Sequence, residues 1–262
     1  MKYKYIIAPF ALFGAGLWPG LVFAQGTLTP PGPPGPTMLA LSQVEPRTPV
    51  DAVHTPGNSS AEFAINNAGS YYLTTNITGV SGKDGIDIDA NNVTLDLNGF
   101  SVVGVSGALN GINTTYANIV VHSGIVSQWT NGIYSSGANV TLQSLTVCSN
   151  QLFGIEVTGS SSSVVGNNVA GNNASVSPGY AGILVSGTDN LIQNNHVVAT
   201  AGSTSAIGIF ALGTGSVVIQ NVIEGNGGND MEWGSGVIIG QNINTTSAEI
   251  ITNSNPWGNL EF

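Results

Sequence analysis

Gly85-Ile86-Asp87-Ile88-Asp89, then Val93-Thr94-Leu95-Asp96-Leu97, then Phe100-Ser101-Val102-Val103: these short β-favouring runs, separated by Ala90-Asn91-Asn92 and Asn98-Gly99, decide the fold. Alternation at period two and β-branched residues indicate strands, and the Asn/Gly interruptions indicate turns. The opening Gly-Ile pair recurs at Gly111-Ile112, Gly132-Ile133, Gly154-Ile155, Gly182-Ile183 and Gly208-Ile209, and as Gly236-Val237. A near-constant interval of two dozen residues is the mark of a repeat architecture. Strands this short satisfy their backbone groups when each pairs with its counterpart in the next repeat. The expected fold is all-β, a right-handed parallel β-helix of about seven coils.

Aligned on the glycine, the repeats separate into columns. Ile86, Ile112, Ile133, Ile155, Ile183, Ile209 and Val237 form an inward column, and Ile88, Thr114, Ser135, Val157, Val185 and Ala211 form a second. Further along the coil stand Leu97, Ser123, Ser144, Asn168, Asn195 and Asn221, and the three asparagines predict a stacked amide ladder.

The remainder of the chain divides by composition. Residues 1–24 carry Lys2 and Lys4 ahead of an apolar run ending in Val22-Phe23-Ala24, the pattern of a cleaved secretory signal. Residues 25–50, with Pro30-Pro31-Gly32-Pro33-Pro34-Gly35-Pro36, read as an extended tether. Residues 51–84 read as an N-terminal cap with the first strands, 85–253 as the coils and 254–262 as a C-terminal cap built on Trp257. The expected location is outside a bacterial cytoplasm: secreted, periplasmic or on the cell surface. No membrane-spanning segment is expected once the signal is removed.

Past Ala24, Arg47 and Lys83 stand against 14 acids, a formal charge of −12. That charge disfavours nucleic acid, whose binding rests on cations at phosphates, and also acidic glycans and anionic membranes. The single cysteine, Cys148, excludes an internal disulfide and reads as an inert thiol in a strand.

The columns and the phrases Pro46-Arg47-Thr48-Pro49, Gly69-Ser70-Tyr71-Tyr72-Leu73-Thr74, Asn91 to Phe100 and Asn255-Pro256-Trp257-Gly258-Asn259 carry a resemblance. Over roughly Ala61 to Asn253 the chain resembles the right-handed parallel β-helix proteins of the pectate-lyase-like superfamily, and within them a group of exported bacterial repeat proteins of undefined activity. The resemblance implies architecture and leaves chemistry open, because that superfamily holds lyases, hydrolases, epimerases, adhesins and inert scaffolds. Its lyases use Ca²⁺ held by clustered acids with an Arg or Lys as base. No Lys or Arg occurs from Asp84 to Phe262, so a glycoside hydrolase is expected ahead of a lyase if the protein is an enzyme.

Function on such a stack is written on its outward columns. Asp87, Asn113, Tyr134 and Glu156 follow the glycine by two residues, with Trp129 counted on the same surface. Acceptors for hydroxyls beside a ring that stacks on a pyranose point to an extracellular glycan as partner. Asp87 and Asp89, two residues apart on a strand, stand about 6.5–7 Å apart, at the lower edge of the roughly 6.5–9.5 Å of an inverting glycosidase pair; the rival reading is a solvated acidic strand. Asp96 and His122 are expected neighbours on adjoining coils, either as an oriented general base or as a polar stacking pair. In the loop Asn226 to Trp233, Asn229, Asp230 and Glu232 offer the hard oxygen ligands that Ca²⁺ takes; no cofactor is required. Beyond Glu156 the outward column turns apolar, with Leu184, Phe210 and, two residues on, Leu212. The alternative function is therefore a non-catalytic scaffold or adhesin that self-associates or binds a partner through that strip.

Overall fold

The computed structural model describes residues 46–174, 179–198, 200 and 206–244, and the backbone of 249–251. The expected signal, most of the tether and the C-terminal cap with Trp257 lie outside the described residues. Those residues form strands, turns and bends with no helix among them, and hence none long and apolar enough to cross a membrane.

One sheet stacks eight strands in parallel: Ala61–Ile65, Asp84–Ile88, Asn110–Thr114, Asn131–Ser135, Ile155–Val157, Ala181–Val185, Ile207–Ala211 and Met231–Trp233. A second, branched sheet of 16 strands carries the rest of each turn. Its first branch runs through Gly69–Tyr72, Val93–Asp96, Ile119–Ser127 and Val140–Cys148. The described residues thus form a β-solenoid of eight coils, one more than the Gly-Ile count suggests. The additional coil opens at Ala61–Ile65, whose Phe63 is in register with Ile86 but lacks the glycine signature.

Gly236-Val237 is not the seventh member of the column. The strand beside Ile207–Ala211 is Met231–Trp233, with Met231 opposite Ile209. Gly236 instead lies in the following turn at φ 83°. Composition also places the start of the fold too late: Thr48–Pro49 already pairs in parallel with Tyr71 and Tyr72.

The Gly-Ile glycines are not in the left-handed region. They are required by how closely coils approach along the axis. A Cβ on Gly85, Gly111, Gly132 or Gly154 would lie 2.5–2.6 Å from the carbonyl oxygen of the next glycine in the column. The isoleucine that follows each points into the stack and is at most 1% exposed. Inward Ile and Val from successive coils form one continuous core, with Trp129, Leu95, Leu97 and Leu142 among its largest members.

The corners of the coil are polar and fully buried, and are sealed by amides. Asn167, Asn195, Asn221 and Asn242 are each at most 2% exposed. Each of the first three donates from Nδ2 to Oδ1 of the next, at 3.0, 3.0 and 2.9 Å. The same Oδ1 atoms accept the backbone N–H of the preceding asparagine. The predicted ladder therefore exists, with one correction: its first member is Asn167, while Asn168 is exposed on the strand Asn168–Ala170. The column it tops continues through Leu145, whose backbone N–H donates to Asn167 Oδ1, and its register partner Gly124, and not through Ser144 and Ser123, which turn the chain at φ 54° and 62°.

Candidate functional site

The strand Asp84–Ile88 alternates Ile86 and Ile88 inward with Asp87 outward, and the residues beside it extend that outward row. Asp87 is in register with Asn113, Asn113 with Tyr134, Tyr134 with Glu156, Glu156 with Leu184 and Leu184 with Phe210. Successive members are about 4.8 Å apart, the spacing of paired strands. Asp87, Asn113, Tyr134 and Glu156 therefore form one half-buried ridge, as the alignment predicts. Asn113 Nδ2 donates to Asp87 Oδ1 at 3.0 Å.

Both ridge carboxyls are raised by burial. Burial first, then the negative charges of Asp89 and Asp84, push Asp87 up to about 6. Burial also raises Glu156. A carboxyl raised on folding stabilises the native state fully below its unfolded value of about 3.9 and loses that contribution as pH rises through its folded value. For Asp87 the window runs from about 4 to about 6. We therefore expect Asp87→Asn to be more stable than wild type at pH 8 by about 1–2 kcal/mol, after allowance for solvent screening. The advantage should vanish by about pH 4, near the unfolded carboxyl value. Urea denaturation at both pH values checks this, and an equal difference at both would refute the assignment.

Asp84 was not singled out by the sequence. It is 5% exposed, and its Oδ1 accepts both the backbone N–H and the side-chain amide of Asn110, at 2.7 and 2.9 Å. Asn131 Nδ2 in turn donates to Asn110 Oδ1 at 3.0 Å. Burial raises the Asp84 carboxyl while these bonds oppose the rise. The available signal was the residue before each glycine, which reads Asp84, Asn110, Asn131 in three successive repeats.

Trp129 does not belong to the ridge. Its side chain is 0% exposed and its Nε1–H donates to the Val102 carbonyl at 3.0 Å. The indole fills a hollow left by Gly79, Gly85 and Gly111, where any Cβ would strike its ring. It is a core residue and cannot stack on a sugar.

Asp96 and His122 are register partners, as expected, but on the other sheet and so on a separate face from Asp87. His122 Nδ1 lies 3.5 Å from Asp96 Oδ1 and 2.8 Å from Ser123 Oγ. A relay needs the two ring nitrogens to serve different partners; here one nitrogen meets both, so the geometry is that of a polar pair. Asp96 is further committed, its Oδ1 accepting from the Asn98 backbone at 2.7 Å and its Oδ2 from Arg47 at 2.9 Å. Arg47 also covers the Tyr72 ring, 4.7 Å from its centroid. The arginine that precedes the coils in sequence is therefore laid against them in space.

In the last loop, Asp230 Oδ1 accepts from Asn226 and Glu232 Oε1 from Asn229, so the acids serve two different amides. Among the described residues no three His, Cys, Asp or Glu side chains are grouped to hold a metal ion.

No protein-family model matches the chain, and no curated protein matches it in sequence. Among solved structures it is similar to the Dettilon tailspike protein, with a TM-score of 0.50 and 18% identity over 71% of this chain and 41% of that one. The chain is a right-handed parallel β-helix protein. A second similar structure is the DFA-IIIase from Arthrobacter chlorophenolicus A6, solved in complex with DFA-III, with a TM-score of 0.47 and 15% identity over 72% of this chain and 52% of that one. This β-helix thus spans about half the length, or less, of both solved chains, and the likeness is one of fold.

Proposed function

We propose that the protein binds and processes an extracellular carbohydrate, a neutral glycan, along the ridge Asp87, Asn113, Tyr134 and Glu156. What carries this reading is Asp87 on the half-buried outward ridge, its carboxyl pushed up to about 6 by burial and then by the charges of Asp89 and Asp84, with Asp89 two residues on. Residues two apart along an extended chain stand about 6.5–7 Å apart, a spacing that suits displacement with inversion. Asp87 delivers its proton to the glycosidic oxygen as that bond breaks. Asp89 takes a proton from the water that attacks the sugar carbon on the opposite face. Tyr134 offers a ring to the apolar face of a pyranose, and Asn113 and Glu156 offer partners for its hydroxyls. The strongly negative chain favours an uncharged glycan over an acidic one.

The test is a glycan-binding screen on the protein with and without Ca²⁺, each bound glycan being followed for cleavage products. The expected result is binding that Tyr134→Ala abolishes, with cleavage that both Asp87→Asn and Asp89→Asn abolish while the fold persists. Binding without cleavage would leave a binding ridge and remove the catalytic roles. Silence across the screen would sink the carbohydrate reading.

A second reading is supported by the end of the ridge, where Leu212 is 42% and Trp233 45% exposed next to half-buried Leu184 and Phe210. Apolar surface of this kind suits self-association of a scaffold. Concentration-dependent sedimentation together with a silent screen would favour it.

A further inference from the structure

Two acid–amide pairs join the strands Asp84–Ile88 and Asn110–Thr114, three residues apart on each strand. In the enclosed pair Asn110 donates to Asp84. In the pair on the outward ridge, Asn113 Nδ2 donates to Asp87 Oδ1 at 3.0 Å, between residues that are in register. The enclosed pair is closed: two N–H groups converge on one Asp84 oxygen, and the Asn110 oxygen receives Asn131. The ridge pair is open. Among the described residues nothing donates to Asp87 Oδ2, and nothing donates to Asn113 Oδ1.

The open oxygen matters because the acid proton sits on one oxygen of a carboxyl at a time. An amide N–H facing Oδ1 needs a lone pair there, and a hydrogen on Oδ1 would meet it head-on. The proton therefore belongs on Oδ2, the oxygen that Asn113 leaves free. Once the proton has gone, the same N–H stabilises the carboxylate, as a hydrogen bond to the charged form does. It thereby opposes the burial that raises Asp87. The titratable neighbours act otherwise. Asp89 and Asp84 are like charges that hold the proton on. Tyr134 stands one coil beyond Asn113. On the strand Ala61–Ile65 the register partner of Asp87 is Ala64, and Glu62 is the titratable residue. Lys83 donates its ammonium to the Asn58 carbonyl.

We propose that Asn113 is the positioning residue of Asp87: its amide occupies Oδ1, confines the acid proton to Oδ2, and steadies the carboxylate left when that proton departs. Asn113 carries no proton to or from a ligand and acts through Asp87. Delivery of the proton to a glycosidic oxygen rests on the carbohydrate reading; the hold of Asn113 on Asp87 does not.

The test is an NMR titration of the side-chain carboxyls and amides, with no glycan present, in wild type, Asn113→Leu and Asn113→Gln. Leucine keeps the branched outline of asparagine and removes the N–H groups, whereas glutamine adds bulk and keeps them. The expected result is an Asp87 midpoint higher by about one pH unit in Asn113→Leu and close to wild type in Asn113→Gln. A midpoint unchanged or lowered in Asn113→Leu, or raised equally in both variants, overturns the proposal. In wild type the Asn113 amide protons should shift at the Asp87 midpoint, and amide signals that ignore it overturn the proposal even if neither variant folds. On a glycan that the protein cleaves, Asn113→Leu should carry the alkaline limb of kcat upward by the same amount, since the acid must be protonated to donate; a limb that stays in place would overturn the positioning role. A raised midpoint beside a silent glycan screen would leave the contact standing and remove the carbohydrate reading, so the two failures are distinguishable.

Discussion

Trp129→Ala should cost the protein about 3–5 kcal/mol of unfolding free energy, while Tyr134→Ala, only five residues on, should leave stability nearly unchanged. The two aromatics differ in which side of the wall they occupy. Removing the buried indole opens a void that the glycines around it cannot fill, since Gly79, Gly85 and Gly111 bring backbone and no side chain to the ring. It also leaves the Val102 carbonyl without its indole donor. Relaxation into the space is restricted because the axial spacing of the coils is fixed by paired strands. Tyr134 is half-buried on the ridge, and its loss removes contact area from one face only. Urea denaturation of both variants checks the contrast, and a mild effect at Trp129 would contradict its placement in the core.

The second large effect is expected at Asn195. Asn195→Leu keeps volume but strips the Asn167 backbone N–H and amide of their acceptor, and the Val164 carbonyl of a donor. Several buried polar groups left unpaired at once should cost about 3–5 kcal/mol. Asn168→Leu, one position from the other end of the same contact, touches no ladder and should fall within about 0.5 kcal/mol. Chemical denaturation of the pair decides between them. If the two variants were equally destabilised, the ladder would not be where the structure puts it.

How much of this was legible in the sequence depends on which physical constraint wrote each residue. The Gly-Ile column was legible because the next coil's carbonyl excludes any side chain at the glycine, and the core demands a large apolar group after it. The outward row Asp87, Asn113, Tyr134, Glu156 followed from strand alternation at a fixed offset from that glycine. Offsets fail further along the coil, where left-handed residues such as Ser123, Ser144, Gly166 and Asn194 turn the chain before the ladder position. That is why Asn168 was read for Asn167. Trp129 lies in the turn ahead of the strand Asn131–Ser135, where no period tells inside from outside. Arg47 reaches Asp96 across 49 residues of sequence, a contact only the stacked coils create. The Asp96–His122 adjacency was legible from equal offsets, but the shared nitrogen that denies it a relay was not.

The amide runs have a direction. In the interior, Asn167, Asn195 and Asn221 each present their N–H groups to the coil that follows. On the outer edge of the other sheet, Asn131 presents its N–H to Asn110 and Asn110 to Asp84, towards the coil that precedes. An amide polarised by one neighbour polarises the next, so each run behaves as a small aligned dipole array. The two arrays run in opposite directions, and their ends are chemically unlike. The inner array runs out at an amide, Asn242, while the outer one terminates on an acid that can only receive. The outer array therefore ends on an acid that opens the second coil, where its donors converge.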